Sequence, residues 1–113
     1  MTSYQNLQTI CPETSLTAAN AAEFSQLLTQ TIRESEVNKI LINLKKVELV
    51  DSAAVVALVK ATRLAKSQGK DLGLVSVNSQ VRMVLELTQL DRFVQIYRDE
   101  ADFLGYRYEL MAA

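Results

Sequence analysis

The sequence contains no histidine, one cysteine, one proline and three glycines in 113 residues. Without histidine, the usual general base near neutral pH is absent, and metal sites built on histidine and cysteine are excluded. The single cysteine, Cys11, cannot form an internal disulfide, and we expect it to pack as a small apolar residue. Gly69, Gly73 and Gly105 form neither a phosphate-binding loop nor a dinucleotide fingerprint. We therefore expect a binding protein with no catalytic residues, no cofactor and no metal.

Long runs of one charge and long apolar runs are also missing. Twelve basic and thirteen acidic residues leave a formal charge of −1, and Lys45-Lys46 is the densest basic spot. Nucleic-acid binding depends on many basic contacts to phosphates, so we do not expect it. The longest apolar run, Ala53 to Val59, is too short to cross a bilayer. The segment Met1 to Gln8 lacks the pattern of a signal peptide, so we expect a cytosolic protein without a membrane partner.

The residues that are present favour a folded protein. The apolar share of 49% supports a packed core and argues against disorder. A chain of this length fits one domain, which we expect to span residues 1–113.

Short β-branched segments alternate with helical stretches along the chain. We expect strands at 7–12, 39–44, 71–77 and 93–97, and helices that begin at Thr17, at Asp51-Ser52, at Asn78 or Ser79, and at Asp99. The second helix should end near Ser67, before Gly69, and the last should reach Leu110. Alternation of this kind is typical of right-handed βαβ units. The prediction is an α/β fold: a small, mostly parallel β-sheet with about four helices.

Helical periodicity predicts which side chains are buried. The expected core positions are Ala21, Phe24, Leu27, Leu28 and Ile32 on the first helix, Ala54, Leu58, Ala61 and Ala65 on the second, and Val81, Val84, Leu85 and Thr88 on the third. On the second helix, Ser52, Val56, Val59, Lys60, Arg63 and Lys66 should lie on the opposite side.

The dipeptide Asp51-Ser52 stands where a buried strand passes into a helix. The purely structural interpretation is that Asp51 or Ser52 is the N-cap of the helix, which stabilises it by about 1 kcal/mol. The functional interpretation is that Ser52 switches the binding of a partner. Val56 and Val59 are expected on the solvent side of the helix below Ser52 and near Arg63, where they resemble a docking surface. A phosphate on Ser52 would add about −1.5 to −2 charges to the edge of that surface. The sequence alone leaves both interpretations open.

Two long segments, KILINLKKVELVDSAAVVALVKATRLAKSQGKDLGLVSVN and VRMVLELTQLDRFVQIY, resemble the STAS family, specifically its stand-alone anti-sigma-factor antagonists. The resemblance extends from about Leu7 to Leu104. It implies that Ser52 is the serine phosphorylated by a partner anti-sigma factor with serine kinase activity, flanked by Asp51 and Asn20. It also implies that the unphosphorylated protein binds the anti-sigma factor and frees the sigma factor, and that a phosphatase resets the switch.

The sequence departs from the family pattern at Thr17, where an acidic residue is frequent, at Ala54, where glycine is common, and at Gln89, where glycine is usual. From the alignment of these segments we also expect the family's first strand to be largely missing. The changes at Thr17 and Ala54 motivate a second hypothesis, a constitutive STAS interaction subunit of a transport or signalling complex that is not phosphorylated. A third, a nucleotide-binding or hydrolytic α/β protein, rests on fold class alone. The tail residues Phe103, Tyr106, Tyr108, Leu110 and Met111 could cover the core or form the contact of a weak homodimer.

Overall fold

The computed structural model describes residues 7–105 and confirms the predicted α/β architecture. The elements follow the order β1 (Leu7–Ile10), α1 (Ala21–Glu34), β2 (Lys39–Asn43), α2 (Ser52–Ser67), β3 (Asp71–Val75), α3 (Ser79–Leu87), β4 (Gln95–Ile96) and α4 (Glu100–Phe103). A short 3-10 helix, Leu90–Arg92, lies between α3 and β4. All pairings of the described strands are parallel, in the spatial order β1-β2-β3-β4.

The sheet is buried on both faces at its centre. Ile40, Leu41 and Ile42 of β2 are all fully buried, which explains why this strand is a continuous apolar run and not an alternating one. Right-handed connections between strands in sequential order place the crossover helices on one face of the sheet. One core cluster accordingly joins Ile42 and Leu74 of the strands to side chains of α1, α2 and α3, among them Leu28, Leu58 and Leu85.

The opposite face of the sheet is covered by α4. Leu41 and Val75 pack there with Phe103, which is 3% exposed. Gly73 of β3 makes room for this packing: a Cβ atom at this position would lie 2.7 Å from Cε1 of Phe103 and 2.8 Å from Cε2 of Tyr97. Phe103 therefore packs in the core, as expected, while the remaining tail residues lie outside the described part of the chain.

Lys39 connects the end of α4 to the amino ends of the two central strands. Its Nζ forms an ion pair with Asp71 at 3.1 Å, donates to the main-chain oxygen of Phe103 at 3.4 Å and lies 4.9 Å from the centre of that ring. The predicted continuous helix to Leu110 is wrong, because α4 ends at Phe103 and Gly105 adopts a left-handed backbone with φ +89°.

The first helix begins later than predicted. The prediction that Thr17 caps α1 is wrong, because α1 starts at Ala21 after the N-cap residue Asn20. The Asn20 side chain accepts a hydrogen bond from the Thr17 N–H and donates one to the Ser15 oxygen, both at 2.9 Å. These bonds form a side-chain-stabilised turn in place of the first helical turn.

Two expected core positions are exposed. Leu27 is 47% exposed, because the side chains that contact the sheet from α1 are Ala21, Phe24, Leu28 and Ile32. Thr88 is the exposed C-cap of α3, and its hydroxyl donates to the Val84 oxygen at 2.7 Å. The expected stripe on α2, from Ala54 through Leu58 and Ala61 to Ala65, is buried as predicted.

Candidate partner-binding site

Three connections meet at the carboxyl ends of the strands. The loop from β1 to α1 and the loop from β2 to α2 pair like a short parallel ladder: the Leu16 N–H donates to Leu49 O, and the Asp51 N–H donates to Leu16 O, both at 3.0 Å. Leu16 and Val50, the paired residues of this ladder, are both buried. The loop before α3 joins it, since Nδ2 of Asn78 donates to the Val47 oxygen at 3.1 Å. The start of α2 is therefore fixed from both sides.

An ion pair links the first two loops at the surface. Nζ of Lys46 lies 2.9 Å from Oε1 of Glu13. The hydrogen bond to Glu13, followed by the Coulombic attraction of the same carboxylate, raises the pKa of Lys46 above its ordinary value. Both side chains are well exposed, so we assign this pair little stabilising effect.

The Asp51 carboxylate connects the two loops more directly. Its Oδ1 accepts from the N–H groups of Ala53 at 3.0 Å and Ala54 at 3.3 Å, which are unpaired donors of the first turn of α2. Its Oδ2 accepts from the Ala18 N–H at 2.8 Å. One carboxylate thus caps α2 and holds the β1–α1 loop beside it, which confirms the N-cap interpretation for Asp51.

Ser52 is the first residue of α2 and is exposed. Within residues 7–105 no partner accepts or donates a hydrogen bond at its hydroxyl, because the capping is done by Asp51. The exposed Ser52 residue therefore stands at the positive end of a sixteen-residue helix.

The apolar neighbours of Ser52 differ in exposure. Val56, one turn along α2, is 51% exposed. The prediction that Val59 shares its solvent face is wrong: Val59 is half-buried and packs against the main core cluster. The reason is its position one turn beyond Val55, which is buried and directs this side of α2 toward the rest of the core.

Leu49 is an exposed apolar residue that the sequence did not predict. It lies three residues before α2 and is 54% exposed, between the buried Val47 and Val50. Alternation around Val47 and Val50 cannot identify it, because loop residues follow no fixed period. We name Leu49, Ser52 and Val56 the Ser52 surface.

The remaining predicted site residues are divided between two places. Thr17 and Asn20 lie in the turn that Asp51 holds beside the start of α2, and the Thr17 hydroxyl accepts from the Ala19 N–H at 3.2 Å. Arg63 is exposed but lies eleven residues further along α2 than Ser52, about 16 Å at 1.5 Å per residue. The structure therefore brings Thr17 and Asn20 close to Ser52 and leaves Arg63 distant.

Comparison with known proteins identifies the family. The model of the STAS domain matches residues 3–103. The chain belongs to the STAS domain family. A Thermotoga maritima protein named as a candidate anti-sigma factor antagonist is 35% identical to this STAS domain over 88 residues, which cover 78% of each chain.

Solved structures agree with this assignment. The crystal structure of a candidate anti-sigma factor antagonist from Thermotoga maritima matches with a TM-score of 0.81 and 31% identity, covering 88% of this STAS domain and 86% of that chain. The anti-sigma factor antagonist SpoIIAA in its unphosphorylated form has a TM-score of 0.70 at 15% identity, over 88% of this chain and 86% of that one. The SpoIIAA likeness concerns the fold alone.

Two kinds of structural feature are absent from the described part of this STAS domain. Among residues 7–105 there is no group of three or more cysteine, aspartate or glutamate side chains that could hold a metal ion. In the same part of this STAS domain, no helix combines the length and apolar character needed to span a membrane.

Proposed function

We propose that this STAS domain is a cytoplasmic anti-sigma-factor antagonist that binds an anti-sigma factor with serine kinase activity through the Ser52 surface. In this proposal Ser52 is the residue that the partner phosphorylates, and a phosphatase reverses the modification. The chain is then a kinase substrate and not an enzyme. The observation that carries the proposal is the exposed Ser52 hydroxyl, which is free because Asp51 alone caps α2.

The relatives support the general role, since the Thermotoga maritima protein is named as a candidate anti-sigma factor antagonist. The geometry supports the switch. A phosphate on Ser52 would stand at the amino end of α2, where the helix dipole favours negative charge, so the fold would tolerate it. The same dianion would stand beside exposed Leu49 and Val56, and a partner that covers these side chains would have to strip water from it. Phosphorylation would therefore weaken the complex and leave the domain folded.

Thr17, Asn20 and Asp51 act in this proposal by shaping the surface. Asn20 holds the turn at Thr17, and Asp51 holds that turn through the Ala18 N–H. Ala18 and Ala19 are exposed there and would offer small, flat contacts to the partner.

A constitutive STAS interaction subunit is the second candidate, and one observation favours it. The residue at position 17 is a threonine whose hydroxyl is engaged by the Ala19 N–H. The turn beside Ser52 therefore presents no carboxylate at this position to the magnesium and ATP that a kinase brings. In this version the same surface binds its partner whatever the state of Ser52.

The two candidates differ in one experiment. The full chain is incubated with each anti-sigma factor kinase of its own organism and ATP, and the modified residue is mapped by mass spectrometry. Isothermal titration calorimetry then compares wild type, Ser52→Ala and Ser52→Asp. We expect modification at Ser52, nearly unchanged affinity for Ser52→Ala and at least a tenfold loss for Ser52→Asp.

Ser79→Asp is the matched control, because Ser79 is the exposed first residue of α3 and follows an N-cap, Asn78, in the same way as Ser52 follows Asp51. It should bind like wild type. Equal affinities for wild type and Ser52→Asp, with no modification at Ser52, would contradict the switch and favour the constitutive subunit. Equal losses in Ser52→Asp and Ser79→Asp would show that added charge alone weakens binding.

A further inference from the structure

Three large apolar side chains outside the Ser52 surface are strongly exposed. Leu87 is 76% exposed, Met83 59% and Phe93 54%. Met83 and Leu87 stand one turn apart on α3, and Phe93 directly follows the 3-10 helix that precedes β4. Lys66, in the last turn of α2, is fourteen residues beyond Ser52, about 21 Å along the helix. Lys66 is therefore remote from the Ser52 surface.

A cavity of about 130 Å³ opens beside Phe93. Its apolar lining includes Leu72, Phe93 and Tyr97, and its charged lining includes Lys66, Lys70 and Arg92. Because one water occupies about 30 Å³ in the liquid, the space corresponds to about four waters, enough for one large apolar side chain. We name this cavity the distal surface.

Positive charge dominates around the cavity. Lys66 and Arg92 are exposed, and α2 carries no acidic residue between Ser52 and Ser67. Nζ of Lys70 donates to the main-chain oxygens of Ile32 and Ser35, so its charge is held in place without being neutralised by a carboxylate.

Acidic side chains offset this charge only in part. Asp71 also lines the cavity, but it is paired with Lys39 at 3.1 Å. Asp91 and Glu86 are the exposed acids on the 3-10 helix and the last turn of α3. Among the side chains that line the cavity, three are thus cations and one is a carboxylate, Asp71, which already has a partner.

We propose that the distal surface docks an acidic segment of a protein partner, with one apolar side chain of that segment in the cavity and its carboxylates beside Lys66 and Arg92. Apolar anchors that fill a pocket dominate binding energies, while charges at the rim set orientation and association rate. The proposal goes beyond the function proposed above, because this contact does not involve Ser52 and persists whether or not Ser52 carries a phosphate.

The probe is an eight-residue acidic peptide with a central Leu-Phe pair, titrated into the full ¹⁵N-labelled chain. We expect saturable amide shifts that are largest around Thr62, Lys66 and Phe93, with small shifts at Ser52. A peptide with Ser-Ser in place of Leu-Phe, and one with lysine in place of every acid, should each bind at least tenfold more weakly. Affinity should fall as salt is raised from 50 to 300 mM, values that bracket physiological ionic strength at about 150 mM.

Variants of the chain complete the test. K66E/R92E should lose at least tenfold in affinity for the acidic peptide, while K45E, an equally exposed charge reversal in the β2–α2 loop, should bind like wild type. S52D should also bind like wild type, so failure of the Ser52 switch and failure of the distal surface are distinguishable. The fold of each variant is checked by its amide spectrum.

Four results would overturn the proposal: peptide shifts located elsewhere, equal binding of the acidic and basic peptides, unchanged affinity of K66E/R92E, or absence of binding. Two other occupants are tested in parallel. Binding to phosphatidylglycerol vesicles that K66E/R92E abolishes, without binding of the acidic peptide, would assign the surface to lipid. A concentration-dependent dimer in light scattering that Phe93→Ser dissolves would assign it to a second copy of this chain.

Discussion

Replacement of Asp51 tests the structural basis of the candidate site. The Asp51 carboxylate accepts three main-chain hydrogen bonds, from Ala53 and Ala54 at the start of α2 and from Ala18 in the neighbouring loop. Asp51→Ala removes all three acceptor contacts and the negative charge at the helix start. Asp51→Asn keeps one oxygen to cap α2 but places an NH₂ group, which cannot accept, where Oδ2 meets the Ala18 N–H.

The expected losses follow from these contacts. An N-cap contributes about 1 kcal/mol, and a carboxylate at the helix amino end contributes about 0.3–1 kcal/mol. The bond to Ala18 adds about 0.5 kcal/mol, the low end for a hydrogen bond, because exposed Ala18 can bond water instead. We therefore expect Asp51→Ala to lower the free energy of unfolding by about 2 kcal/mol, and Asp51→Asn by about 1 kcal/mol.

Urea unfolding at pH 7 measures both losses, with Glu48→Ala, an exposed acid in the same loop, as a control within about 0.5 kcal/mol of wild type. Hydrogen exchange at the Ala18 amide should accelerate in both Asp51 variants, since both lose the acceptor. A stability of Asp51→Ala equal to wild type, or an unchanged exchange rate at Ala18, would refute the assignment of Asp51 as the residue that fixes this site.

Three other perturbations have defined outcomes. Gly73→Ala should destabilise the domain by about 1–3 kcal/mol in thermal or urea unfolding, because the new Cβ would lie 2.7 Å from the Phe103 ring. Wild-type stability of this variant would show that α4 does not pack on the face of the sheet at Gly73. Val56→Glu should abolish partner binding with a change in stability below about 0.5 kcal/mol, whereas Val59→Glu should also lower the melting temperature, since Val59 packs against the core. Burial, aided by the Asp71 and Asp102 carboxylates, raises the pKa of Tyr97, so above pH 10 the unfolded chain releases a phenol proton that the folded chain retains, and the free energy of unfolding should fall as pH rises through that range. The ultraviolet difference titration of wild type minus Tyr97→Phe should show a midpoint above the ordinary tyrosine value. An ordinary midpoint would contradict the burial of this ring.

Much of the fold was predictable because it depends on short-range patterns. The run at 39–44 predicted β2, and the small residues from Ala54 to Ala65 predicted the buried side of α2. Asn78 and Gly69 marked a helix start and a helix end because capping needs a side-chain acceptor or a left-handed backbone, and both were correct. The error at Thr17 has the same origin, since Asn20 competes locally for the same turn.

The candidate site was less predictable, because it joins residues far apart in sequence. The Asp51 carboxylate that caps α2 was predictable, but its bond to Ala18 spans 33 positions and depends on how two loops meet above the sheet. Val59 and Leu27 were also misplaced, because the burial of a helix side chain depends on the elements that pack against it. A helical period gives the direction of each side chain but not the width of the neighbouring element, so it placed Val59 in solvent and Leu27 in the core.

The sequence by itself determined the alternation of strands and helices and the start of α2 at Asp51-Ser52, because each is decided within a few residues by period, capping and backbone preference. Only the tertiary structure decided that Leu49 is exposed, that Gly73 accommodates Phe103, and that a cavity lies between Lys66 and Phe93. The physical reason is that exposure and cavities depend on the distance between packed elements, which no local pattern encodes.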